Sequence, residues 1–135
     1  MSMGIGGSCK KSVEDETTVL YEYSVYNLND PNLRAAINSY DGTIKIEKSA
    51  LINPVIHKKL KRQPNGKKRM IEKRIPVNVP IDNLIAEHKV EITNCSRCWL
   101  KTPEEYDVIA VRLCDIIFRE YQITGILPEK ASYHI

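Results

Sequence analysis

The sequence predicts an α+β fold: a single domain with a mostly antiparallel sheet packed against one long C-terminal helix, about 103–122, and short helices near 31–38 and 82–88. Three observations carry this reading. Several short stretches alternate apolar and polar residues at period two, turn signals separate them, and one segment near the C-terminus is apolar at helical spacing. The length of 135 residues suits one hydrophobic core. With 42% hydrophobic and 27% charged residues, the composition is globular and excludes a wholly disordered or collagen-like chain. No apolar run approaches the ~18 residues a membrane span needs, and no signal-peptide apolar region opens the chain. Four cysteines without a secretion signal point to a reducing, cytoplasmic setting rather than a disulfide scaffold.

Residues 1–17 lack any apolar period and are rich in Gly, Ser and charge. They read as a flexible arm ahead of a domain spanning 18–135. From Met3 the letters match the N-myristoylation pattern, with Cys9 and the Lys10, Lys11 pair beside it. Acylation would require initiation at Met3, because Ser2 follows Met1 and keeps Gly4 from becoming the terminus.

The stretch 18–28 then alternates, placing Tyr21, Tyr23 and Val25 on one face as in a half-buried strand. Asp30 followed by Pro31 is an N-cap with Pro at the first helical position, opening a helix through 38 with Leu33 and Ile37 on one stripe. After the turn at Asp41 and Gly42, a second strand over 43–48 points Ile44 and Ile46 one way. Residues 53–62 admit two readings. Asn53 and Pro54 could cap a helix with Val55, Ile56 and Leu60 as its stripe. Alternatively 55–62 is a strand that turns at Gln63-Pro64-Asn65-Gly66 and returns over 67–79. The turn chemistry favours the hairpin, since Asn and Gly tolerate the positive φ of tight turns. On the return strand Ile71, Ile75, Val77 and Val79 share a face, and Pro76 and Pro80 mark an edge or an end.

A short helix over 82–88 carries Leu84 and Ile85, and a strand over 89–93 carries Val90 and Ile92. Thr102-Pro103-Glu104-Glu105 combines an N-cap, Pro at the first helical position and a capping-box acid. The helix it opens runs to about 122 and stops at Gly125. Tyr106, Ile109, Ala110, Leu113, Ile116, Ile117 and Tyr121 form its apolar stripe, widened by Val108, Val111, Cys114 and Phe118. Arg112, Asp115, Arg119 and Gln122 are left for water, so the helix reads as a core element. A last extended segment follows within 123–135.

Charge is unevenly distributed. Between His57 and Arg74 stand nine cations: Lys58, Lys59, Lys61, Arg62, Lys67, Lys68, Arg69, Lys73 and Arg74. Glu72 is the only acid there, so the segment carries +8 while the rest of the chain carries −5, within a total of +3. A two-residue turn at Asn65 and Gly66 would set Leu60 opposite Ile71, Ile56 opposite Ile75 and Lys59 opposite Glu72. The same register sets Arg62 against Arg69, Lys58 against Lys73 and His57 against Arg74. Like charges directly opposite destabilise a ladder by a few tenths to ~1 kcal/mol each, and a polyanion along the ribbon turns that repulsion into attraction.

These features lead to the expectation of a small non-enzymatic binding protein. Its nine cations between 57 and 74 would contact an anionic partner, foremost the phosphate backbone of DNA or RNA. No helix-turn-helix, zinc-finger or RNP1 pattern is present. No aromatic residue interleaves with the basic run, so base stacking is not its mode. Tyr21, Tyr23 and Tyr26 offer a stacking platform, although strand tyrosines more often belong to the core. An acidic protein surface is the second expected partner. That reading makes the chain an inhibitor or immunity-type protein (toxin immunity, anti-defence or mobile-element accessory) that docks on and blocks another protein such as a nuclease.

Catalytic, cofactor and metal residues are not expected. Cys95-Ser96-Arg97-Cys98 supplies two of the four ligands zinc wants. His88 and Cys114 are the candidates to complete the set, yet Cys114 lies on the apolar side of its helix, where Cys is a small hydrophobe. Redox use would draw on Arg97 to lower a thiolate pKa, but the motif does not open a helix as thioredoxin-like sites do. The deaminase signature fails, because Val90 occupies its acidic position and Asn94 its proline. His57, His88 and His134 sit in no motif, and no nucleophile elbow, Walker A, dinucleotide fingerprint or HExxH occurs. Gly4-Ile5-Gly6-Gly7 is too short for a phosphate loop and precedes no helix. Glu104 and Glu105 are accounted for as first-turn helix acids.

Overall fold

The alternation around Tyr21 and Tyr23 builds the strand on which the fold is assembled. In the computed structural model, which describes residues 4–29, 40–95, 98 and 100–134, strand β2 spans Thr18–Asn27 and buries Val19, Tyr21, Tyr23 and Val25. The other strands are β1 (Ile5–Glu14), β3 (Gly42–Glu47), β4 (Val55–Arg62), β5 (Lys68–Ile75), β6 (Val90–Thr93) and β7 (Lys130–His134). Five of them form one antiparallel sheet in the order β6-β3-β2-β1-β7, while β4 and β5, among the described residues, pair only with each other. Helix α1 spans Ile81–Ala86 and helix α2 spans Val108–Thr124. The α+β class, the long C-terminal helix and the single domain therefore stand. The helix expected at 31–38 lies outside the described residues.

The flexible arm is corrected. Ile5–Glu14 is an interior strand, paired with β2 along its length and with β7 from Gly6 to Lys10. It shows no apolar period because small residues are needed where its neighbours press close. A Cβ on Gly7 would meet Ile109 Cγ2 at 2.6 Å, and one on Gly6 would collide with the Tyr133 carbonyl. Hydrogen bonds to both flanking strands order the segment, and its one large contribution to the core is Cys9.

One face of the sheet is apolar. Cys9, Tyr21, Tyr23, Val25, Ile44, Ile46 and Val90 cluster there with Ile109, Ala110, Leu113, Cys114, Ile117 and Phe118 of α2. Ile109, Ala110, Leu113 and Ile117 of the stripe read from the sequence lie in the packing face with Cys114 and Phe118. Ile116 and Tyr121 are half-buried, and Tyr106 precedes the helix. The helix start is corrected by five residues. Thr102 does not cap it; its hydroxyl accepts from the Tyr106 N–H at 3.2 Å and its N–H donates to the Tyr106 carbonyl at 2.7 Å, closing a loop. Glu105 stands at φ 68 inside that loop, a conformation no helix admits. The cap is Asp107, whose Oδ1 accepts from the Ile109 N–H at 2.9 Å. Gly125, at φ 79, ends the helix as expected.

Gln122 is also corrected, from water-facing to fully buried. Its side-chain amide pairs with Val77 as a strand would: Oε1 accepts from the Val77 N–H at 2.6 Å and Nε2 donates to the Val77 carbonyl at 3.1 Å. This clamp fastens the segment after β5 to the end of α2.

Candidate anionic-partner interface

The hairpin reading of 53–62 holds, but the register is shifted by one residue from the expected one. Gln63 and Lys67 close the ladder, with the Gln63 N–H on the Lys67 carbonyl at 2.8 Å, so the loop holds three residues, Pro64, Asn65 and Gly66. Gly66 takes φ 80, and its N–H donates to the Gln63 carbonyl at 2.9 Å. Pro64 pre-sets the first turn position, Gly66 accepts the left-handed one, and Asn65 Oδ1 receives the Lys67 N–H at 3.0 Å. A two-residue turn would have required Asn65 as well as Gly66 at positive φ.

The observed partners are Val55 with Ile75, Ile56 with Arg74, His57 with Lys73, Lys58 with Glu72, Lys59 with Ile71, Leu60 with Met70, Lys61 with Arg69 and Arg62 with Lys68. The three like-charge pairs expected from the sequence give way to three others, His57 with Lys73, Lys61 with Arg69 and Arg62 with Lys68. The acid now faces a cation directly, with Lys58 Nζ 3.6 Å from Glu72 Oε1.

Paired residues share a face, so the cations divide between two faces. One face presents Lys59, Lys61, Arg69 and Lys73, with His57 and no acid. The other presents Lys58, Arg62, Lys68 and Arg74, together with Glu72. On that second face Arg74 is a structural anchor: its Nε donates to the Gln122 carbonyl at 2.7 Å. Lys67 sits beside the turn. All sixteen residues of β4 and β5 are exposed, so the ribbon stands out from the body with both faces accessible.

The cations do not act alone on this surface. Val55, Ile56, Leu60, Met70, Ile71 and Ile75 stand among them, between 39% and 57% exposed. At the ribbon's root a hollow of about 460 Å³ opens between residues 76–79 and α2, lined in part by Asp115 and Arg119. Burial pushes the Asp115 carboxyl upward, nearby Asp82 adds to the rise, and Arg112 opposes it.

Tyr21 and Tyr23 provide no stacking platform, because both are fully buried. Tyr21 donates to the Pro128 carbonyl at 2.6 Å and Tyr23 to Asp107 Oδ2 at 2.9 Å. Cys95 belongs to the same buried network. The Cys95 N–H donates to the Tyr23 hydroxyl at 3.0 Å, and the Cys95 thiol lies 3.7 Å from Asp107 Oδ2. Burial, reinforced by Asp107, raises the Cys98 thiol to about 11. Burial likewise raises Cys9 to about 12 and lifts Cys114 far above the usual thiol range. These three thiols are protonated at neutral pH, unlike an activated nucleophile. Among the described residues no group of three His, Cys, Asp or Glu side chains is placed to hold a metal.

The chain matches no protein-family model, curated protein or solved structure. The ribbon's cations were legible as a cluster in the sequence; their division between two faces and the anchoring of Arg74 were not. Gln122, which sets the ribbon's root, carried no local signal, because a polar residue late in a helix reads as solvated.

Proposed function

We propose that this is a non-enzymatic binding protein that lays its β4–β5 ribbon on the phosphate backbone of a nucleic acid. The observation that carries the reading is the acid-free face of Lys59, Lys61, Arg69 and Lys73, every residue of which is exposed. On the opposite face Lys58 is paired with Glu72 and Arg74 is bonded to α2, which leaves Arg62 and Lys68 as that face's supporting contacts. A two-stranded ribbon fits a DNA groove or tracks a backbone, and lysine and arginine there release counterions.

The test is a mobility-shift titration of the full chain with duplex DNA, single-stranded DNA and RNA at two salt concentrations. If the four residues each meet one phosphate of a duplex, log affinity falls against log salt with a slope of about −3.6. Replacing all four with Gln abolishes binding, whereas Lys58→Gln, which removes a cation already facing an acid, weakens it far less. Absence of binding at low salt, or equal losses from both changes, overturns the reading.

A second reading rests on the six exposed apolar side chains, which phosphate contact alone does not explain. They fit a protein partner with an acidic rim and an apolar centre, as for an inhibitor or immunity-type protein blocking a nuclease. Such a complex persists at high salt, where backbone-dominated nucleic-acid binding is lost.

A further inference from the structure

The face of the sheet opposite α2 carries a second cationic feature, remote in sequence from the ribbon and independent of its function. Ser8 and Lys10 of β1 stand directly beside Ser132 and Lys130 of β7 in the strand register, so all four side chains share that face. Tyr40 lies over them: its hydroxyl is 2.9 Å from Ser8 Oγ, and Lys10 Nζ sits 4.5 Å from its ring centroid. Together these residues line a cleft of about 410 Å³.

Two lysines directly opposite on neighbouring strands repel one another. Lys10 is also flanked by Glu22 on β2, but the Glu22 carboxylate receives the Ser12 hydroxyl at 3.3 Å. Among the described residues no carboxylate lies within ion-pair distance of Lys10 or Lys130. Among the described residues the cleft thus brings together two ammonium groups that lie outside ion-pair distance of any carboxylate, and three hydroxyls. Ammonium and hydroxyl donors converging from several sides suit a tetrahedral oxyanion, which offers strong acceptors in every direction. The volume falls in the range of small-molecule sites and leaves room beside one phosphate.

We propose that the cleft of Ser8, Lys10, Tyr40, Lys130 and Ser132 is an oxyanion site that takes the phosphoryl group of a small phosphate monoester. Lys10 and Lys130 neutralise the dianion from its two sides, and the Ser8, Ser132 and Tyr40 hydroxyls donate to its oxygens. The Tyr40 ring keeps Lys10 at the rim rather than extended into water.

The experiment is an amide-resolved NMR titration of the full chain with inorganic phosphate, then with glycerol 3-phosphate, and with acetate as a control. The expected result is a saturable shift of amides around residues 8–10 and 130–132, with the monoester bound more tightly than phosphate and acetate inert. Lys130→Gln weakens binding about tenfold by removing one charge-assisted contact, and Ser132→Ala weakens it less. Both positions are exposed, so the variants fold, which their unchanged spectra elsewhere verify. The ribbon variant with Lys59, Lys61, Arg69 and Lys73 replaced by Gln keeps this binding, separating the cleft from the nucleic-acid reading. Shifts centred on the ribbon, a response that does not saturate, exclusion of the monoester, or indifference to Lys130→Gln each overturn the proposal.

Discussion

Asp107 joins three parts of the structure. Its Oδ1 caps α2, its Oδ2 receives the Tyr23 hydroxyl, and the Cys95 thiol lies beside it, all at 1% exposure. Burial, followed by the Asp107 charge, pushes the Tyr23 phenol far above its ordinary range, so Tyr23 remains a donor. Asp107→Ala removes the cap and leaves the Tyr23 hydroxyl proton without an acceptor, a loss of about 2–4 kcal/mol readable by urea unfolding. Asp107→Asn keeps an acceptor at the cap and costs less. Asp15 offers a pH test. Hydrogen bonds from the Thr18 and then the Thr17 backbone N–H hold its carboxyl down at about 2, against an ordinary 3.8. A depressed folded-state value means its stabilisation is complete above about pH 4 and fades as pH falls through about 2. Unfolding free energies of the wild type and Asp15→Ala should therefore differ at pH 5 and converge toward pH 2. At this scale the sequence disclosed Tyr21, Ile44 and the apolar residues of α2, whose burial follows from periodicity. It did not disclose Asp107 or Gln122, whose roles depend on partners 84 and 45 residues away in the chain.

At the scale of elements, local chemistry located the hairpin and mistook its register. Pro64, Asn65 and Gly66 all belong to the loop, and the inclusion of Pro64 moves every pairing by one position. That single shift converts Lys58 from a residue opposite Lys73 into one opposite Glu72, and it decides which cations share a face. The ribbon is held at its root by Gln122 and Arg74 rather than by core packing. Gln122→Leu should leave the Val77 N–H and carbonyl without their side-chain partners, lowering stability by about 2 kcal/mol. Hydrogen exchange would then report faster protection loss at residues 76–79 than in β2. The start of α2 was missed for a related reason. Thr102 and Glu105 resemble a capping box, but the Asn94 side chain bonds both the Glu105 carbonyl, at 2.8 Å, and the Asp107 N–H, at 2.9 Å, and holds that stretch as a loop.

At the scale of the whole molecule, the ribbon lies outside the core and meets the body at its root, through Arg74 and the Gln122 clamp. No residue of β4 or β5 belongs to the buried cluster, and an isolated two-stranded ribbon is marginally stable in water. Joining Val55 to Ile75 through an Asn-Gly turn should leave the body folded, with a change in unfolding free energy below about 1 kcal/mol, while abolishing nucleic-acid binding. Circular dichroism melts and mobility shifts on that variant check the two halves of the prediction. The sequence by itself determined the α+β class, the apolar faces of β2, β3 and α2, and the concentration of charge around one turn. These are local properties, set by periodicity and by which residues turns admit. Only the tertiary structure decided that Ile5–Glu14 is an interior strand, that Arg74 braces the ribbon, and that Lys10 and Lys130 face one cleft. Each of those depends on contacts between distant segments, where hydrogen bonds from neighbouring strands and the shape of the packed core outweigh local preference.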